Sequence, residues 1–392
     1  MYFTGIIFTF FLALILLGKR DKSRADYILF GWLLVMGSHL GLFYLHFSGQ
    51  YARFPHLLGF EWSLSLLHGP FMYLYTASLT DQYRKKQYML LHFLPAIIIC
   101  LILSGFILSP SENKIAVYRN GGRGYELEMS ISNIAYVISN IIYFISSLLV
   151  LRKHRRNIMN QFSSLGKVNL LWLRYLIIGY GLIFLSYLLL QEDEYIFGAL
   201  VLYILFIGYY GIRQVGIFTR TVIEPVPGSH PEMAESAGVD LMSREEPVPS
   251  HSVETAGGED NKTVKYRKSG LNDESANEVH QSLCKLMAEE KLYKNPELSL
   301  TELAQKLEVN PNILSQIINS IEQKNFYDYV NELRIQEFKE LIALNENQKF
   351  TLLALAYECG FNSKTSFNRN FKKITGISPT EYLSGLETHV SE

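Results

Sequence analysis

The sequence predicts an all-α protein: a bundle of seven membrane-spanning helices, a linker without regular structure, and a helical domain at the C-terminal end. Three observations predict this class. Apolar runs of about 20 residues recur through 1–212, as expected of helices that cross a hydrocarbon core. Residues 213–270 carry scattered Pro, Gly, Ser and Glu with few large apolar side chains. Helical periodicity of the apolar residues then returns in 271–392.

The distribution of charge divides the chain in the same way. Of the 37 acidic side chains, only 10 lie in residues 1–212, although the formal net charge of the 392 residues is −1. This asymmetry excludes a single soluble domain. Cys100, Cys284 and Cys359 are far apart, which excludes a disulfide framework or a cysteine-rich zinc site. No paired carboxylates, nucleophile–base pair or metal-ligand spacing stands out, so we predict neither an enzyme nor a metal or cofactor site.

The apolar runs give the positions of the seven predicted spans. They lie at 2–17, 27–47, 60–79, 89–108, 131–151, 171–190 and 195–212. The first and the last are short for a hydrocarbon core of about 30 Å. The run at 2–17 could also be a secretory signal. It has no basic leader and no small-residue cleavage pattern, and this favours a retained span.

The connections between the spans predict the orientation of the chain. The first, third and fifth connections contain 12 Lys and Arg residues, and the other three contain 4. Because cytoplasmic loops retain Lys and Arg, the N-terminus is predicted outside and the C-terminus inside the cytoplasmic membrane.

Five polar residues stand out within predicted spans, where burial of a polar group is costly, namely His39, His46, Glu61, His68 and Arg174. Glu61, His39 and His68 could line a pocket for a small ligand. In the alternative interpretation, Glu61 lies near the outer interface in contact with water, and the two histidines hydrogen-bond between helices. Both interpretations stay open.

The linker, residues 213–270, cannot bury enough apolar surface to offset the entropy lost on ordering. We therefore expect a disordered cytoplasmic tether. A coil of about 55 residues spans roughly 40 Å. Such a tether does not transmit a rotation or a shift from the spans.

Residues 271–392 begin with an amphipathic helix, expected from Asp273 to Lys291, and continue with two helix-turn-helix patterns. In the first, a short helix over Leu300–Leu307 is followed by Asn310-Pro311, an N-cap with proline at the first helical position. The second short helix covers Asn312–Asn319.

The second pattern repeats this arrangement. A short helix at Leu352–Ala356 is followed by Gly360, which supplies a left-handed residue to the turn. A helix over Lys364–Lys373 follows, capped by Asn362 or Ser363. A helix of 18 residues, Tyr327–Leu344, separates the two patterns and measures about 27 Å. That length suits two reading helices in successive major grooves about 34 Å apart.

Residues Leu298–Leu383 resemble the AraC-type DNA-binding domain. The segments that carry the resemblance are Leu303-Ala304, Asn310-Pro311, Leu314-Ser315, Phe326–Arg334, Tyr357–Phe361, Ser366–Lys373, Thr375–Pro379 and Tyr382. The whole layout is similar to that of bacterial membrane-anchored AraC-type regulators. The resemblance implies transcription regulation through binding of double-stranded DNA. Glu308 and Ser320–Asn325 depart from it, because the family usually has glycine at these turns.

The resemblance and the helical spacing together indicate which side chains face DNA. On the first reading helix they are Asn312, Ser315, Gln316 and Asn319; on the second they are Ser363, Lys364, Thr365, Asn368, Arg369, Lys372 and Lys373. Asn and Gln can bind adenine, Arg can bind guanine, and lysines neutralise phosphate. The residues expected in the core are Leu314, Ile317, Ile318, Phe367 and Phe371.

The charge of the C-terminal domain opposes strong DNA binding. Residues 271–392 contain 12 Lys and Arg against 18 Asp and Glu. We therefore expect a weakly binding monomer that needs a homodimer or tandem sites. The seven spans are expected to sense an unknown signal ligand outside or within the lipid bilayer, with control by oligomerisation or proteolytic release. The alternative is a receptor or transporter whose helical domain binds a protein partner.

Overall fold

A computed structural model describes residues 2–82, 88–165, 170–190, 193–214, 272–344 and 349–390. Most of these residues are helical, and the described part of the chain contains no strand, which confirms the all-α prediction. The chain forms two compact units. The first comprises Met1–Asn157 with Val168–Arg220, and the second comprises Ile158–Lys167 with Thr221–Glu392.

The first unit contains ten helices among the described residues. They are α1 (Tyr2–Gly18), α2 (Arg24–Phe47), α3 (Phe60–Ser65), α4 (His68–Leu79), α5 (Leu94–Ile102), α6 (Ser104–Ile107), α7 (Ser111–Arg119), α8 (Glu126–Gln161, whose last residues belong to the second unit), α9 (Leu171–Leu189) and α10 (Asp193–Gln214). Three of them, α2, α8 and α9, are long and apolar enough to cross a membrane. Shorter apolar helices occur at Phe3–Gly18, Leu90–Ile102 and Gly198–Tyr210.

Two of the seven predicted spans are interrupted. The run at 60–79 divides into α3 and α4, with a turn at Leu66 and Leu67. Pro70 has no N–H to donate to the carbonyl four residues before it, which explains a break at this point. The run at 89–108 begins as a 3-10 turn, becomes α5 with Pro95 in its first turn, and breaks again before α6. The seven-span bundle therefore remains a prediction.

Helix α8 is longer than predicted. It has 36 residues, about 54 Å, whereas the apolar run covered only 131–151. The basic cluster Arg152–Arg156, expected in a connection, lies on the last turns of this helix. The helix therefore extends beyond the apolar run at both ends. It is also longer than the thickness of a hydrocarbon core, about 30 Å.

The core of the first unit is built around α2. Trp32 is fully buried and contacts the rings of Tyr75 on α4 and Tyr203 on α10. The first turn of α2 is fixed by a capping box, in which Ser23 and Asp26 exchange side-chain and backbone hydrogen bonds. Lys19 adds an ion pair to the buried carboxylate of Asp26 at 2.8 Å.

The second unit contains seven helices among the described residues. They are α11 (Asp273–Glu290), α12 (Leu300–Lys306), α13 (Pro311–Ile321), α14 (Phe326–Ala343), α15 (Leu352–Glu358), α16 (Lys364–Thr375) and α17 (Pro379–Val390). The bounds of α11 to α16 agree with the sequence prediction to within a few residues, whereas no helix was predicted for α17. One hydrophobic cluster packs α11, α12 and α13 against the start of α14, and another packs α15 and α16 against its later turns.

Several predictions fall on residues outside the described ranges. These are residues 215–270 of the tether predicted at 213–270, the basic residues Arg84, Lys85 and Lys86 of the third connection, and Lys167 of the fifth. Residues 213 and 214, predicted to belong to the tether, are instead the last residues of α10.

Candidate nucleic-acid interface and ligand cavity

The first helix-turn-helix consists of α12 and α13. Ser299 caps α12 by accepting a hydrogen bond from the backbone N–H of Glu302 at 3.2 Å. Asn310 caps α13 in the same way, and Pro311 takes the first helical position as predicted. Glu308 in the turn has φ 56°, so the left-handed position where glycine is usual is filled by a residue with a side chain.

The two faces of α13 differ in burial. Leu314, Ile317 and Ile318 are fully buried, as predicted for the core. Asn312 is exposed, and Ser315, Gln316 and Asn319 are half-buried on the remaining surface. The Asn319 amide donates to the Ser315 carbonyl oxygen at 2.7 Å, so an adenine contact by Asn319 would replace this bond.

The second helix-turn-helix consists of α15 and α16. Gly360 in its turn has φ 93°, and a Cβ added there would lie 2.5 Å from the Tyr293 carbonyl oxygen. Only glycine fits this close approach. Ser363 caps α16 by accepting from the backbone N–H of Ser366 at 3.2 Å. Its hydroxyl thus has a structural role beside the DNA contact that we predict for it. Gly376 ends α16 with φ 83°.

The outer face of α16 is polar and basic, and its inner face is aromatic. Phe367 and Phe371 are buried against Phe338 of α14. The exposed face contains Lys364, Thr365, Asn368, Arg369, Lys372 and Lys373. The predicted reading face is therefore a continuous surface, while the predicted core residues lie behind it.

Helix α14 positions α16 through polar contacts that sequence analysis missed. The Tyr327 hydroxyl accepts hydrogen bonds from Arg369 at 2.6 Å and from Asn370 at 2.8 Å. The guanidinium of Arg369 also lies over the Tyr327 ring, 5.9 Å from its centre. Lys373 forms an ion pair with Asp328 at 2.7 Å. Two of the basic groups of α16 are thus held in place by α14.

A charged cluster joins α14 to the turn after α11. The carboxylate of Glu337 is buried and accepts from Lys291 at 2.8 Å, from Lys294 at 2.7 Å and from the Tyr293 hydroxyl at 2.8 Å. Burial works to raise the pKa of Glu337, but the hydrogen bonds from the two lysines and the tyrosine dominate and lower it to about 2.

Arg334, also on α14, is the largest buried charged side chain in the described part of the chain, with 1% of its surface exposed. Its guanidinium donates to the carbonyl oxygens of Tyr293 at 2.6 Å and Asn295 at 2.8 Å. Burial lowers its pKa to about 10, well below the ordinary value for arginine. Together with Gly360 and Glu337, Arg334 fixes the turn after α11 against α14.

One group of possible metal ligands occurs among the described residues of the second unit. His280, Cys284 and Glu322 have ligand atoms within 4.8 Å of one another. The Nε2 atom of His280 lies 2.7 Å from a Glu322 oxygen, and Lys324 lies 3.8 Å from the same carboxylate. These hydrogen-bond and charge contacts account for the grouping.

The first unit contains a cavity of about 490 Å³. Its wall includes all three residues that the sequence suggested for a pocket, namely His39, Glu61 and His68. The remaining wall is rich in aromatic side chains, among them Trp32, Trp62, Tyr118, Tyr136 and Tyr187. The structure therefore places the three predicted residues in the wall of one cavity.

The polar residues of this cavity also bond to the protein. The Nδ1 of His39 and the Nε2 of His68 lie 2.9 Å apart and share a hydrogen bond between α2 and α4. Trp32 donates to the other nitrogen of His68 at 3.3 Å. Glu61 accepts from the backbone N–H of Gly59 at 2.9 Å. The interhelical histidine bond of the alternative interpretation is present, and it forms part of the cavity wall.

Comparison with known proteins agrees with the geometry of the second unit. A family model described as a helix-turn-helix domain matches residues 303–385. The uncharacterized HTH-type transcriptional regulator YijO of Escherichia coli (strain K12) is 28% identical over 95 residues, which are 24% of this chain and 32% of YijO. The uncharacterized HTH-type transcriptional regulator YtdP of Bacillus subtilis (strain 168) is 33% identical over 86 residues, 22% of this chain and 11% of YtdP.

The chain thus spans less than a third of the length of either relative, and the likeness confirms the predicted helix-turn-helix domain. No solved structure matches the chain.

Proposed function

We propose that this protein is a membrane-anchored transcription regulator that binds double-stranded DNA through α13 and α16. The observation that carries the proposal is the duplicated helix-turn-helix, in which each second helix has a buried apolar face and a polar outer face. A lone basic helix face is usually only solvated surface. Two such units on one chain are the arrangement that reads two successive grooves.

The connecting helix sets the distance between the two reading helices. Helix α14 has 18 residues and measures about 27 Å. Successive major grooves on one face of DNA are about 34 Å apart. Helix α14 packs against helices of both helix-turn-helix patterns. One chain can therefore present α13 and α16 together, where many helix-turn-helix proteins require a dimer.

The two reading helices are expected to contribute differently. Helix α16 carries Lys364, Lys372 and Lys373 for phosphate and Arg369 for a guanine edge. Helix α13 offers only uncharged side chains, suited to adenine through Asn312 and Gln316. Since 18 acidic residues accompany 12 basic ones in residues 271–392, we expect modest affinity and a requirement for homodimers or tandem sites.

The direct test is selection of bound sequences from random duplex DNA with the full chain in lipid nanodiscs. On the selected DNA, Arg369→Ala should weaken binding at least about fivefold, because a guanine contact contributes about 1–3 kcal/mol. Lys285→Ala is the matched control, since Lys285 is an exposed basic residue of α11 and belongs to neither reading helix. Failure of the wild-type chain to enrich any sequence, at low salt and high protein concentration, would reject DNA recognition.

The membrane role of the first unit is part of the proposal. Three helices long enough to cross a bilayer, together with the 12-to-4 distribution of Lys and Arg between alternate connections, support an anchored chain with its C-terminal domain in the cytoplasm. We propose seven spans, with the broken segments at 60–79 and 89–108 packed inside protein. Irregular backbone is tolerated at membrane depth only where it is buried or lines a cavity.

We further propose that the cavity of the first unit binds the signal ligand. Its aromatic wall suits a largely apolar molecule, and Glu61 and the two histidines can orient one hydrogen-bonding group of that molecule. A protein-binding receptor is the alternative, favoured by the acidic balance of residues 271–392. The DNA selection distinguishes the two proposals.

A further inference from the structure

A short segment that follows α8 is an integral part of the second unit. Residues 158–167 group with the C-terminal helices, although about 110 residues of sequence separate them from α11. Ser163 is 1% exposed and Leu165 is 8% exposed, so this segment is buried like a core element. Residues Phe162–Leu165 are called the strap below.

The strap is bound through its backbone at the entrance to the first helix-turn-helix. Phe162 forms an antiparallel bridge with Ser299, the N-cap residue of α12. The backbone N–H of Ser163 donates to the Leu298 carbonyl oxygen at 3.1 Å, and its hydroxyl donates to the same oxygen at 2.7 Å.

The guanidinium of Arg334 on α14 donates two hydrogen bonds to Ser163. One terminal nitrogen donates to the Ser163 carbonyl oxygen at 3.2 Å, and the other donates to the Ser163 hydroxyl oxygen at 3.1 Å. Asn331, one turn earlier on α14, donates to the same carbonyl oxygen at 3.1 Å. The fixed fork of a guanidinium makes such paired recognition specific in direction.

The strap also supplies acceptors to a buried charge. Among the described residues, the hydrogen-bond partners of Arg334 are carbonyl, amide and hydroxyl oxygens, and no carboxylate is one of them. Two of these five acceptors belong to Ser163. A buried cation that loses its acceptors is strongly disfavoured. Removal of the strap would therefore leave one side of Arg334 exposed to solvent or without a partner.

The far end of the strap reaches the second helix-turn-helix. The amide of Asn362, directly before the cap of α16, donates to the Ser164 hydroxyl at 2.7 Å. The strap thus bonds to the start of α12, to α14 and to Asn362, the residue before the N-cap of α16. A segment with these contacts fixes the mutual arrangement of the two reading units.

We infer that Phe162–Leu165 is a docking strap that occupies a groove formed by Leu298, Asn331, Arg334 and Asn362 and braces the two helix-turn-helix units for DNA binding. The inference rests on the proposed function for its effect on DNA. Since α8 ends at Gln161, a shift of its C-terminal end acts on Ser163 two residues away. The first unit can thus affect DNA affinity through α8 and the strap, without a signal passing through residues 213–270.

Docking of the strap is tested by thiol accessibility in the full chain, without DNA. Cys100, Cys284 and Cys359 are replaced by alanine, and the chain is placed in lipid nanodiscs. We expect a maleimide to label Ser163→Cys at least tenfold more slowly than Gln161→Cys, because Gln161 is exposed and lies only two residues away. Equal labelling rates would overturn the inference, whatever the chain does with DNA.

The brace is tested by DNA affinity of the full chain with its natural cysteines. Ser163→Leu removes the hydroxyl and adds bulk at a buried position, so affinity for selected DNA should fall at least tenfold. Ser163→Ala should give a smaller loss, and Gln161→Leu should leave affinity unchanged. Unchanged or tighter binding by Ser163→Leu would contradict the brace. If the wild-type chain binds no DNA, the proposed function fails, and the labelling contrast still decides whether the strap is docked.

Discussion

At the scale of single residues, the second unit depends on a few positions with no tolerance for change. Gly360 is the clearest, because two separate constraints meet there. Its φ of 93° is unfavourable for a residue with a side chain, and its Cα hydrogen faces the Tyr293 and Lys294 carbonyl oxygens at the turn after α11. The Tyr293 carbonyl oxygen in this turn also accepts a hydrogen bond from Arg334, so a side chain at Gly360 that displaces the turn would disturb a contact of α14.

Gly360→Ala should destabilise the second unit by more than about 3 kcal/mol, since the left-handed backbone costs about 1–2 kcal/mol and the clash adds to it. Gly376→Ala is the matched control: its φ is 83°, and an added Cβ would meet nothing within 4 Å. It should cost only about 1–2 kcal/mol. Hydrogen exchange of the α15 and α16 amides in the full chain measures both. Equal losses would show that the close approach to Tyr293 does not matter.

At the scale of elements, α14 is the common support of the DNA-binding unit. Its Tyr327 and Asp328 hold basic side chains of α16, and its Asn331 and Arg334 hold the strap. Glu337 holds the turn after α11 through two lysines and a tyrosine. One face of a single helix therefore joins elements that lie far apart in the sequence.

The Glu337 cluster predicts a pH dependence. The pKa of Glu337 is about 2 in the folded chain, against 4.5 for an ordinary glutamate. The ionised carboxylate therefore contributes fully to stability above about pH 5, and this contribution is lost as pH falls toward 2. Glu337→Gln should cost about 2 kcal/mol at pH 7, a value reduced for the partial exposure of the two lysines. The difference between the two chains in hydrogen exchange of α14 should narrow as pH falls from 5 to 2. A constant difference over that interval would refute the ionised cluster.

The elements that sequence analysis predicted correctly are those specified locally. Asn310-Pro311 at the start of α13 and Gly360 between α15 and α16 each act within a few residues of their own position, so the pattern alone sufficed. The sequence also showed where the first helix-turn-helix departs from the family pattern. Glu308 and Gln323 have φ 56° at turns where glycine is usual.

The contacts that sequence analysis missed join distant residues. The partners Ser163 and Arg334 are 171 residues apart, and Tyr327 and Arg369 are 42 apart. Nothing in the spacing of apolar residues specifies such pairs. The apolar runs at 60–79 and 89–108 were likewise predicted as continuous helices, because hydropathy does not register the missing N–H of a proline.

At the scale of the whole molecule, the chain joins an apolar helical unit to a unit with two helix-turn-helix patterns. The uneven distribution of Lys and Arg carries the predicted orientation, and the three long apolar helices support the anchoring. In the proposed function the first unit is surrounded by lipid and the second contacts an aqueous polyanion.

The orientation predicts opposite labelling of two exposed arginine positions. In intact cells that express a chain without its natural cysteines, a membrane-impermeant maleimide should label Arg123→Cys and should spare Arg155→Cys until the cells are opened. Both side chains are exposed in the described first unit, so burial does not bias the comparison. Labelling of Arg155→Cys from outside would place the helix-turn-helix units away from DNA and would end the proposal.

The central claim is that one chain reads two successive major grooves, and hydroxyl-radical footprinting of the full chain on its selected DNA tests it most directly. Two protected patches on one face of the duplex, one helical turn or about 34 Å apart for each bound chain, are expected. Arg369→Ala should erase only one of the two patches. A single patch for each bound chain, or uniform protection without a repeat, would contradict the account.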